Sequence, residues 1–208
     1  MADLHNPYWD EVGHAARPGE FPWEHHQLEI ARFRSDSGEE YLDRQKFVGR
    51  YSWTVTDPDS VQFVADHVVG GVVDPMAGTG YWAYLLGQLG ITVVCYDLHA
   101  DCDNPWHGDH SHWVPVQPMD GAESVVLHPD KTLLLAWPPY SDPAGARILD
   151  AYRGNRVIYL GEFDGCCGDD AMHEALASGW EEVASIRPVL WWGLHDRITV
   201  FVRKPTGE

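Results

Sequence analysis

An aspartate and two glycines follow an apolar run in the first half of the sequence. Asp74 ends this run, and Met76, Gly78 and Gly80 come within the next six residues, just before an apolar segment of helical length. Because glycine has no Cβ atom, it lets the backbone turn tightly and approach a bound molecule, and the first amides of a following helix can point at that molecule. The stretch predicts a cradle for a nucleotide-like ligand; a strand-to-helix turn without a ligand is the alternative.

A second acidic residue ends the next β-prone run. This run covers residues 92–97, and Leu98 follows it. A carboxylate at the end of a strand can accept hydrogen bonds from both hydroxyls of a ribose, which nucleotide cofactors carry. We therefore predict that Asp97 binds a ribose, and the alternative is an aspartate that only faces solvent.

Two prolines and a tyrosine follow the largely apolar run at residues 131–136. The order is Trp137, Pro138, a second proline and Tyr140. Proline has no N–H group to donate into a β-ladder, so the pair ends the strand and fixes the carbonyl groups beside it. Glu162 ends a later β-prone run and could accept a proton from a reacting group. A rigid turn and a carboxylate without a function are the alternatives.

These residues lie at the ends of predicted strands that alternate with predicted helices. Asp57 before Pro58 is a typical helix start, and further helical segments begin at Tyr81 and near residues 142 and 169. The predicted strands cover residues 72–74, 92–97, 114–117, 131–136, 157–162, 183–190 and 198–202. This order predicts an α/β fold, doubly wound, with a mostly parallel seven-stranded sheet, a C-terminal antiparallel hairpin and an N-terminal helical extension.

The first part of the chain lies outside this alternating pattern. It is irregular to about residue 22, and the composition then suits short helices at residues 23–34 and 39–48. We predict an N-terminal arm or helical lid at residues 1–56 and a Rossmann-like domain at residues 57–208.

The turn after Asp74 resembles the first motif of class I methyltransferases that depend on S-adenosylmethionine (SAM). The resemblance covers roughly residues 57–204 and implies a transferase with SAM as its cofactor. In that family the glycines approach the methionine part of SAM, the second strand-end acid binds the ribose, and a later acid with an apolar neighbour binds the adenine. The cofactor-binding residues that it implies are Asp74, Met76, Gly78, Gly80, Asp97, Leu98, Met119 and Asp120.

The Pro-Pro-Tyr sequence resembles amino-methyltransferases that act on nucleobases and on amide side chains. Those enzymes have Asp, Asn or Ser where this chain has Trp137, and that side chain and the first proline's carbonyl accept hydrogen bonds from the substrate amine. Tryptophan has no acceptor, so the carbonyl of Pro138 and two aromatic faces remain, which suit a ring or a cation. The resemblance implies a catalytic set of Trp137, Pro138 and Tyr140, to which we add Glu162 as a proton acceptor.

Methyltransferases of this class commonly use an N-terminal extension as a lid over the substrate. By this resemblance, Tyr51 and Trp53 become candidates for substrate binding. Trp191 and His195, which lie between the last two predicted strands, are further candidates. The alternative for the aromatic residues is that they simply cover the core.

Together these features predict SAM-dependent methyl transfer to nitrogen or oxygen of a small molecule. One alternative is an amino-methyltransferase that acts on a protein or nucleic-acid amine. Another is an NAD-binding oxidoreductase or a nucleotide-binding protein without catalysis, because Gly78, Gly80 and Ala83 also fit the permissive dinucleotide pattern.

The charge of the chain restricts its partners. It has 14 Lys and Arg against 32 Asp and Glu, a formal net charge of −18. Nucleic-acid binding needs a basic surface, so the composition opposes it and favours a small-molecule or cationic substrate. The residues of one local basic cluster are predicted to form a solvated helix face: Arg32, Arg34, Arg44, Lys46 and Arg50. The sequence leaves the oligomeric state open, with a homodimer as one option.

Nothing in the sequence indicates a membrane or secreted protein. There is no run of about 18 apolar residues, no secretion signal and only four cysteines, so we predict a cytoplasmic protein. A loop at residues 99–112 is rich in Asp and His, but it lacks the paired spacing typical of zinc sites. We therefore predict no bound metal, and a divalent metal held by this loop is the alternative.

Overall fold

The computed structural model describes residues 4–17, 27–28, 42–101, 104–107, 111–163 and 165–205. The helices are α1 (Pro7–Val12), α2 (Arg44–Arg50), α3 (Pro58–Asp66), α4 (Tyr81–Gln88), α5 (Gly121–Val126), α6 (Ala144–Ala151) and α7 (Asp170–Gly179), with a 3₁₀ turn at Gly13–Ala15. The strands are β1 (Ala16–Arg17), β2 (Gln27–Leu28), β3 (Val72–Asp74), β4 (Val93–Asp97), β5 (Gln117–Pro118), β6 (Thr132–Ala136), β7 (Arg156–Gly161), β8 (Trp180–Ile186), β9 (Leu190–Trp191) and β10 (Arg197–Arg203).

Seven strands form the main sheet in the order β5-β4-β3-β6-β7-β10-β8. The first five of these strands are mutually parallel, and β10 is antiparallel to both of its neighbours. This confirms the predicted α/β fold, including the antiparallel pair at the C-terminal end. The chain runs outward from β3 to β4 and β5, then returns to the other side of β3 as β6. A reversal of this kind opens a crevice at the carboxyl ends of the strands, where ligands bind in α/β proteins.

The helices cover both faces of the sheet. Along β6, Leu134 packs in one core cluster, while Leu133 and Leu135 pack in the other, because successive side chains of a strand point to opposite faces. The first cluster includes Val61 of α3 and residues of α4, and the second includes residues of α6 and α7. The sheet is therefore doubly wound, as the sequence predicts.

Three local differences from the predicted elements have clear causes. The third strand is β5, three residues later than predicted, and α5 follows it because the side chain of Asp120 accepts hydrogen bonds from the amides of Ala122 and Glu123. Helix α2 begins after Asp43, whose side chain accepts a hydrogen bond from the amide of Gln45. Of the predicted helix at residues 23–34, only residues 27 and 28 are described; they form strand β2, which pairs with β1 and β9, so the helix is wrong at these two residues.

The N-terminal segment packs on the sheet domain. Pro7 is at the first position of α1, and the side chain of Asn6 accepts a hydrogen bond from the amide of Trp9, a typical helix N-cap. Tyr8 and Val12 are fully buried in the same cluster as Leu134. Strands β1, β2 and β9 form a second, small sheet, which joins this segment to the chain before β10. Among the described residues, no helix is long and apolar enough to cross a membrane.

Candidate active site

A cavity of about 380 Å³ lies at the carboxyl ends of β3, β4 and β6. Most of the predicted site residues line it: Tyr51, Trp53, Asp74, Met76, Gly78, Asp97, Trp137, Pro138 and Tyr140. The register explains the grouping, since Val73 pairs with Val94 and with Leu133 and the three strands end at one edge. The structure thus brings the two predicted halves of the site, around the glycine turn and around the prolines, into one cavity.

Two glycines shape the turn between β3 and α4. Gly78 has φ of +52°, and among the described residues a Cβ atom there would meet only His107 Cδ2, at 3.6 Å. Gly80 has φ of +74°, and its Cβ atom would lie 2.7 Å from a methyl carbon of Val114. Gly80 therefore serves the turn rather than the cavity wall, while Gly78 leaves its side of the cavity free of a side chain.

Among the described residues, three donors hold Asp97 at the end of β4. Its Oδ2 accepts a hydrogen bond from the amide of Gly78 at 2.9 Å, and its Oδ1 accepts from the amide of His99 at 2.9 Å and from Asn104 Nδ2 at 3.3 Å. A carboxylate has about four lone-pair positions, so roughly one stays open to a ligand. A ligand hydroxyl that displaces Asn104 from its long hydrogen bond could bind Asp97 at a second position.

Asp74 lies at the end of β3 and is 2% exposed, so it is more shielded from water than Asp97. The amide of Met76 donates to its Oδ1 at the long distance of 3.4 Å. Burial raises the pKa of Asp74 to about 7, and the charge of Asp97 adds to this effect. The carboxyl group of Asp74 is therefore partly protonated near neutral pH, and a positive charge in the cavity would favour its ionised form.

Trp137 is fixed at the other side of the cavity. Its φ is +46°, a left-handed conformation that is rare for bulky residues, and its amide donates to the carbonyl of Leu160. Its indole Nε1 donates to Asp196 Oδ2 at 3.0 Å, and its ring stacks on Trp53 with centroids 5.1 Å apart. The carbonyl of Pro138, which the resemblance assigns to a substrate amine, already accepts the amide of Gly168 at 2.8 Å.

Arg44 is a cavity residue that sequence reasoning missed. Its guanidinium carbon lies 5.0 Å from the ring centroid of Trp53 and 5.3 Å from that of Trp137. The prediction of a solvated helix face is therefore wrong for Arg44, although it describes Arg50, whose exposed side chain pairs with Glu11. No local signal separates the two arginines, because the tryptophan partners come from other parts of the chain.

Glu162 does not line the cavity. Its Oε2 accepts a hydrogen bond from the amide of Cys166 at 2.9 Å, and its Oε1 accepts from the amide of His195 at 2.6 Å. Although burial acts in the opposite direction, these hydrogen bonds lower the pKa of Glu162. In the structure this carboxylate connects the loop at Cys166 with the loop at His195. Its role as a proton acceptor stays a prediction.

Other predicted site residues lie outside the lining as well. Leu98 is 60% exposed, and Met119 packs against the second core cluster. Asp120 caps α5 and forms an ion pair with Arg147 at 3.0 Å, so its carboxylate has structural partners. The predicted contacts of these residues with the adenine stay predictions.

The two candidates that precede β10 differ in exposure. Trp191 is 1% exposed, and its indole Nε1 donates to the hydroxyl of Tyr8 at 2.9 Å, which ties α1 to the core. The side chain of His195 is 84% exposed and lies within 3.4 Å of Glu162. Neither side chain lines the cavity, and their substrate roles stay predictions.

The Asp- and His-rich loop contributes Asn104, Trp106 and His107 to the cavity wall. In the part of the chain that the structure describes, no three His, Cys, Asp or Glu side chains are grouped as metal ligands would be. Residues 102–103 and 108–110 of this loop lie outside that part.

The comparisons with known proteins find similarity to solved structures in fold. No family profile and no curated sequence matches the chain. A protein of the NADB-Rossmann superfamily from Streptococcus agalactiae is 14% identical, with a TM-score of 0.44 over 71% of this chain and 69% of that one. An rRNA methylase from Streptococcus thermophilus is 18% identical, with a TM-score of 0.41 over 70% and 94%. Magnesium protoporphyrin IX methyltransferase from Synechocystis PCC 6803, solved with bound SAM, is 13% identical, with a TM-score of 0.45 over 80% and 87%. At identities and TM-scores this low, the neighbours do not indicate a function. The function is therefore inferred from the residues that line the cavity.

Proposed function

We propose that the chain is a SAM-dependent methyltransferase that acts on a small molecule. The observation that carries the proposal is the shared cavity, which Asp74, Asp97 and the Gly78 turn line together with the proline-stiffened corner at Pro138. The acidic side suits a cofactor with ribose hydroxyls and positive charge, and the aromatic side suits a second, apolar molecule. One cavity would thus hold donor and acceptor together.

The residues of the cavity fit this cofactor. Asp97 has about one open lone-pair position for a ribose hydroxyl, and Asp74 offers a buried carboxyl group that a cation would ionise. The missing Cβ atom of Gly78 leaves room for a ligand beside the backbone. Bound SAM would supply an electrophilic methyl group.

The contribution of the protein would be alignment and the exclusion of water. Holding two reactants in a near-attack arrangement, with the reacting atoms about 3 to 3.5 Å apart, removes much of the entropic barrier of a two-molecule reaction. Trp53 and Trp137 form a stacked pair on the acceptor side, and Tyr51 adds a buried aromatic wall. These rings limit the space for water around the acceptor.

Calorimetric titration with SAM, S-adenosylhomocysteine and NAD tests the cofactor. We expect both adenosyl sulfur compounds to bind and NAD to bind weakly or not at all. Asp97→Ala should weaken binding of S-adenosylhomocysteine about tenfold or more, since a hydrogen bond to a charged group is lost. Asp66→Ala, which removes the same charge from the end of α3 outside the cavity, should bind as wild type does. If NAD binds and SAM does not, the proposal is wrong.

A methyl-transfer assay tests the substrate class. Labelled SAM is incubated with small amines, phenols and carboxylic acids and, in parallel, with oligonucleotides and peptides. The net charge of −18 disfavours the binding of polyanions. The carbonyl of Pro138 already accepts a hydrogen bond, which disfavours the hydrogen bond from a substrate amine that nucleobase enzymes use. Label should enter a small molecule; label that enters only the macromolecules would favour the amino-methyltransferase alternative.

A further inference from the structure

The aromatic faces at the acceptor side of the cavity are in contact with a cation of the chain itself. Arg44 is the first residue of α2, and its guanidinium carbon lies about equally far from the rings of Trp53 and Trp137. Cation–π contacts of this kind with tryptophan are favourable, more so away from water. A cationic substrate would have to compete with Arg44 for the same rings. The structure therefore argues against the cationic acceptor that the sequence suggests.

The charge of Arg44 has little compensation. Its Nε and Nη2 atoms are enclosed and have no hydrogen-bond partner among the described residues. Among the described residues, no carboxylate forms an ion pair with it; burial lowers its pKa, and the more distant Asp196 and Glu162 counteract this. Arginine nevertheless stays protonated in proteins, so a positive charge remains beside the cavity.

The charged side chains of the cavity are separated by sign. Asp74 and Asp97 lie on the side of β3 and β4, whereas Arg44 lies beside Trp53 and Trp137. Among the described residues that line the cavity, Arg44 is the single lysine or arginine. Complementary charge is the usual means by which a site orients its ligands, so the two sides suit ligands of opposite sign.

We propose that the methyl acceptor is a small molecule with a carboxylate group that binds the guanidinium of Arg44, while its apolar body packs against the aromatic lining of the cavity. A separate nitrogen or oxygen of the acceptor would take the methyl group, and SAM would leave as S-adenosylhomocysteine. This inference rests on the proposed function and names the class of its second substrate. Guanidinium groups match carboxylates and phosphates equally well in geometry. A phosphate carries about −1.5 to −2 charges, so the negative charges of the acidic chain, Asp196 and Glu162 among them, disfavour its binding more strongly than that of a carboxylate.

Calorimetry with matched acids and amides tests this inference. The probes are salicylate, 4-aminobenzoate and indole-3-acetate, each beside its neutral primary amide, and phenyl phosphate. Each probe is titrated into wild-type protein with and without S-adenosylhomocysteine. At least one acid should bind, and its amide should bind roughly tenfold or more weakly, because a hydrogen-bonded charge pair is lost. Phenyl phosphate should bind more weakly than that acid.

Two arginine variants separate a charge effect from a structural one. Arg44→Gln should weaken binding of the acid roughly tenfold or more and bring the acid-to-amide ratio close to one. Arg50→Gln removes the same charge from the same helix outside the cavity, so its acid-to-amide ratio should equal that of wild type. Loss of structure alone would weaken acid and amide alike. If Arg44→Gln does not fold, the acid-to-amide comparison on wild type decides.

The carboxylate proposal is overturned if no acid binds more tightly than its amide, if Arg44→Gln keeps the wild-type ratio, or if phenyl phosphate binds most tightly. Failure of S-adenosylhomocysteine to bind is a separate result. If the acid still binds through Arg44 while S-adenosylhomocysteine does not bind, the anion site is retained and the methyltransferase function is refuted.

Discussion

At the scale of single residues, two aspartates at neighbouring strand ends have different chemistry because their surroundings differ. Asp97 accepts three hydrogen bonds, two of them from backbone amides. Asp74 has one long contact with the amide of Met76 and is 2% exposed. Burial without donors disfavours the charged form, which is why the pKa of Asp74 rises to about 7. Asp74 should therefore respond to pH close to neutrality.

This shift predicts a pH dependence of stability. An unfolded aspartate has a pKa of about 3.9, so between about pH 4 and pH 7 the folded chain retains a proton at Asp74 that the unfolded chain has lost. The contribution of Asp74 to the free energy of unfolding thus falls as the pH rises through this window, by about 1.4 kcal/mol per unit of pKa difference. Asp74→Asn removes this contribution.

Urea unfolding between about pH 5 and pH 8 measures the effect. The free energy of unfolding of Asp74→Asn, relative to wild type, should increase as the pH rises towards about 7 and then level off. Comparing the two proteins cancels the other titrating groups, including Asp196. A difference that does not change with pH would contradict the raised pKa.

At the scale of elements, the start of α4 depends on a glycine. Gly80 occupies the N-cap position with φ of +74°, and its carbonyl accepts the amide of Tyr84. An added Cβ atom would lie 2.7 Å from Val114. Left-handed backbone costs other residues about 1–2 kcal/mol, and the close contact adds to this cost. The helix that follows the predicted cofactor turn is thus fixed by local backbone geometry.

Two glycine substitutions in this region should have opposite effects. Gly80→Ala should lower the free energy of unfolding by about 2 kcal/mol or more, from backbone strain and the contact with Val114. Gly87→Ala, on the exposed side of α4, should raise it by about 0.5–1 kcal/mol, since alanine is the better helix former and no described residue lies within 4 Å of the added Cβ atom. Urea denaturation measures both variants, and equal effects would contradict this account.

Much of the fold is predictable from local sequence signals. Contacts between distant parts of the chain are not predictable in this way. The helix start at Asp57, the glycine turn and the strand-end acids can be read from a few adjacent residues. The stacking of Arg44 on Trp53 and Trp137 joins positions far apart, and so does the hydrogen bond from Trp191 to Tyr8. Aromatic and charged residues carry no sequence mark of whether they face the core, a cavity or solvent.

At the scale of the whole molecule, the N-terminal segment belongs to the same core as the sheet. The ring of Tyr8 stacks on Tyr51 and Phe47 at centroid distances of 5.0 and 5.8 Å, and its hydroxyl accepts a hydrogen bond from Trp191. Tyr51 lines the cavity, so packing of this segment and the shape of the cavity are linked. The predicted division at residues 56 and 57 stays a prediction, and the packing favours cooperative unfolding of both parts.

Tyr8→Ala should therefore destabilise the whole chain. We expect a loss of about 3–5 kcal/mol in the free energy of unfolding, typical of a large buried ring, and one common transition by circular dichroism and tryptophan fluorescence. Tyr8→Phe keeps the ring and loses only the acceptor for Trp191, so it should cost about 1–3 kcal/mol. Two separate transitions in wild type would show that the N-terminal segment unfolds independently.

A crystal structure of the chain with S-adenosylhomocysteine tests the central claim most directly. The account predicts adenosyl density in the cavity, with a ribose hydroxyl within hydrogen-bond distance of Asp97 and the sulfur between the Gly78 turn and the Trp137–Pro138 corner. Density at another site, or a cavity that stays empty in crystals soaked at saturating ligand, would contradict it.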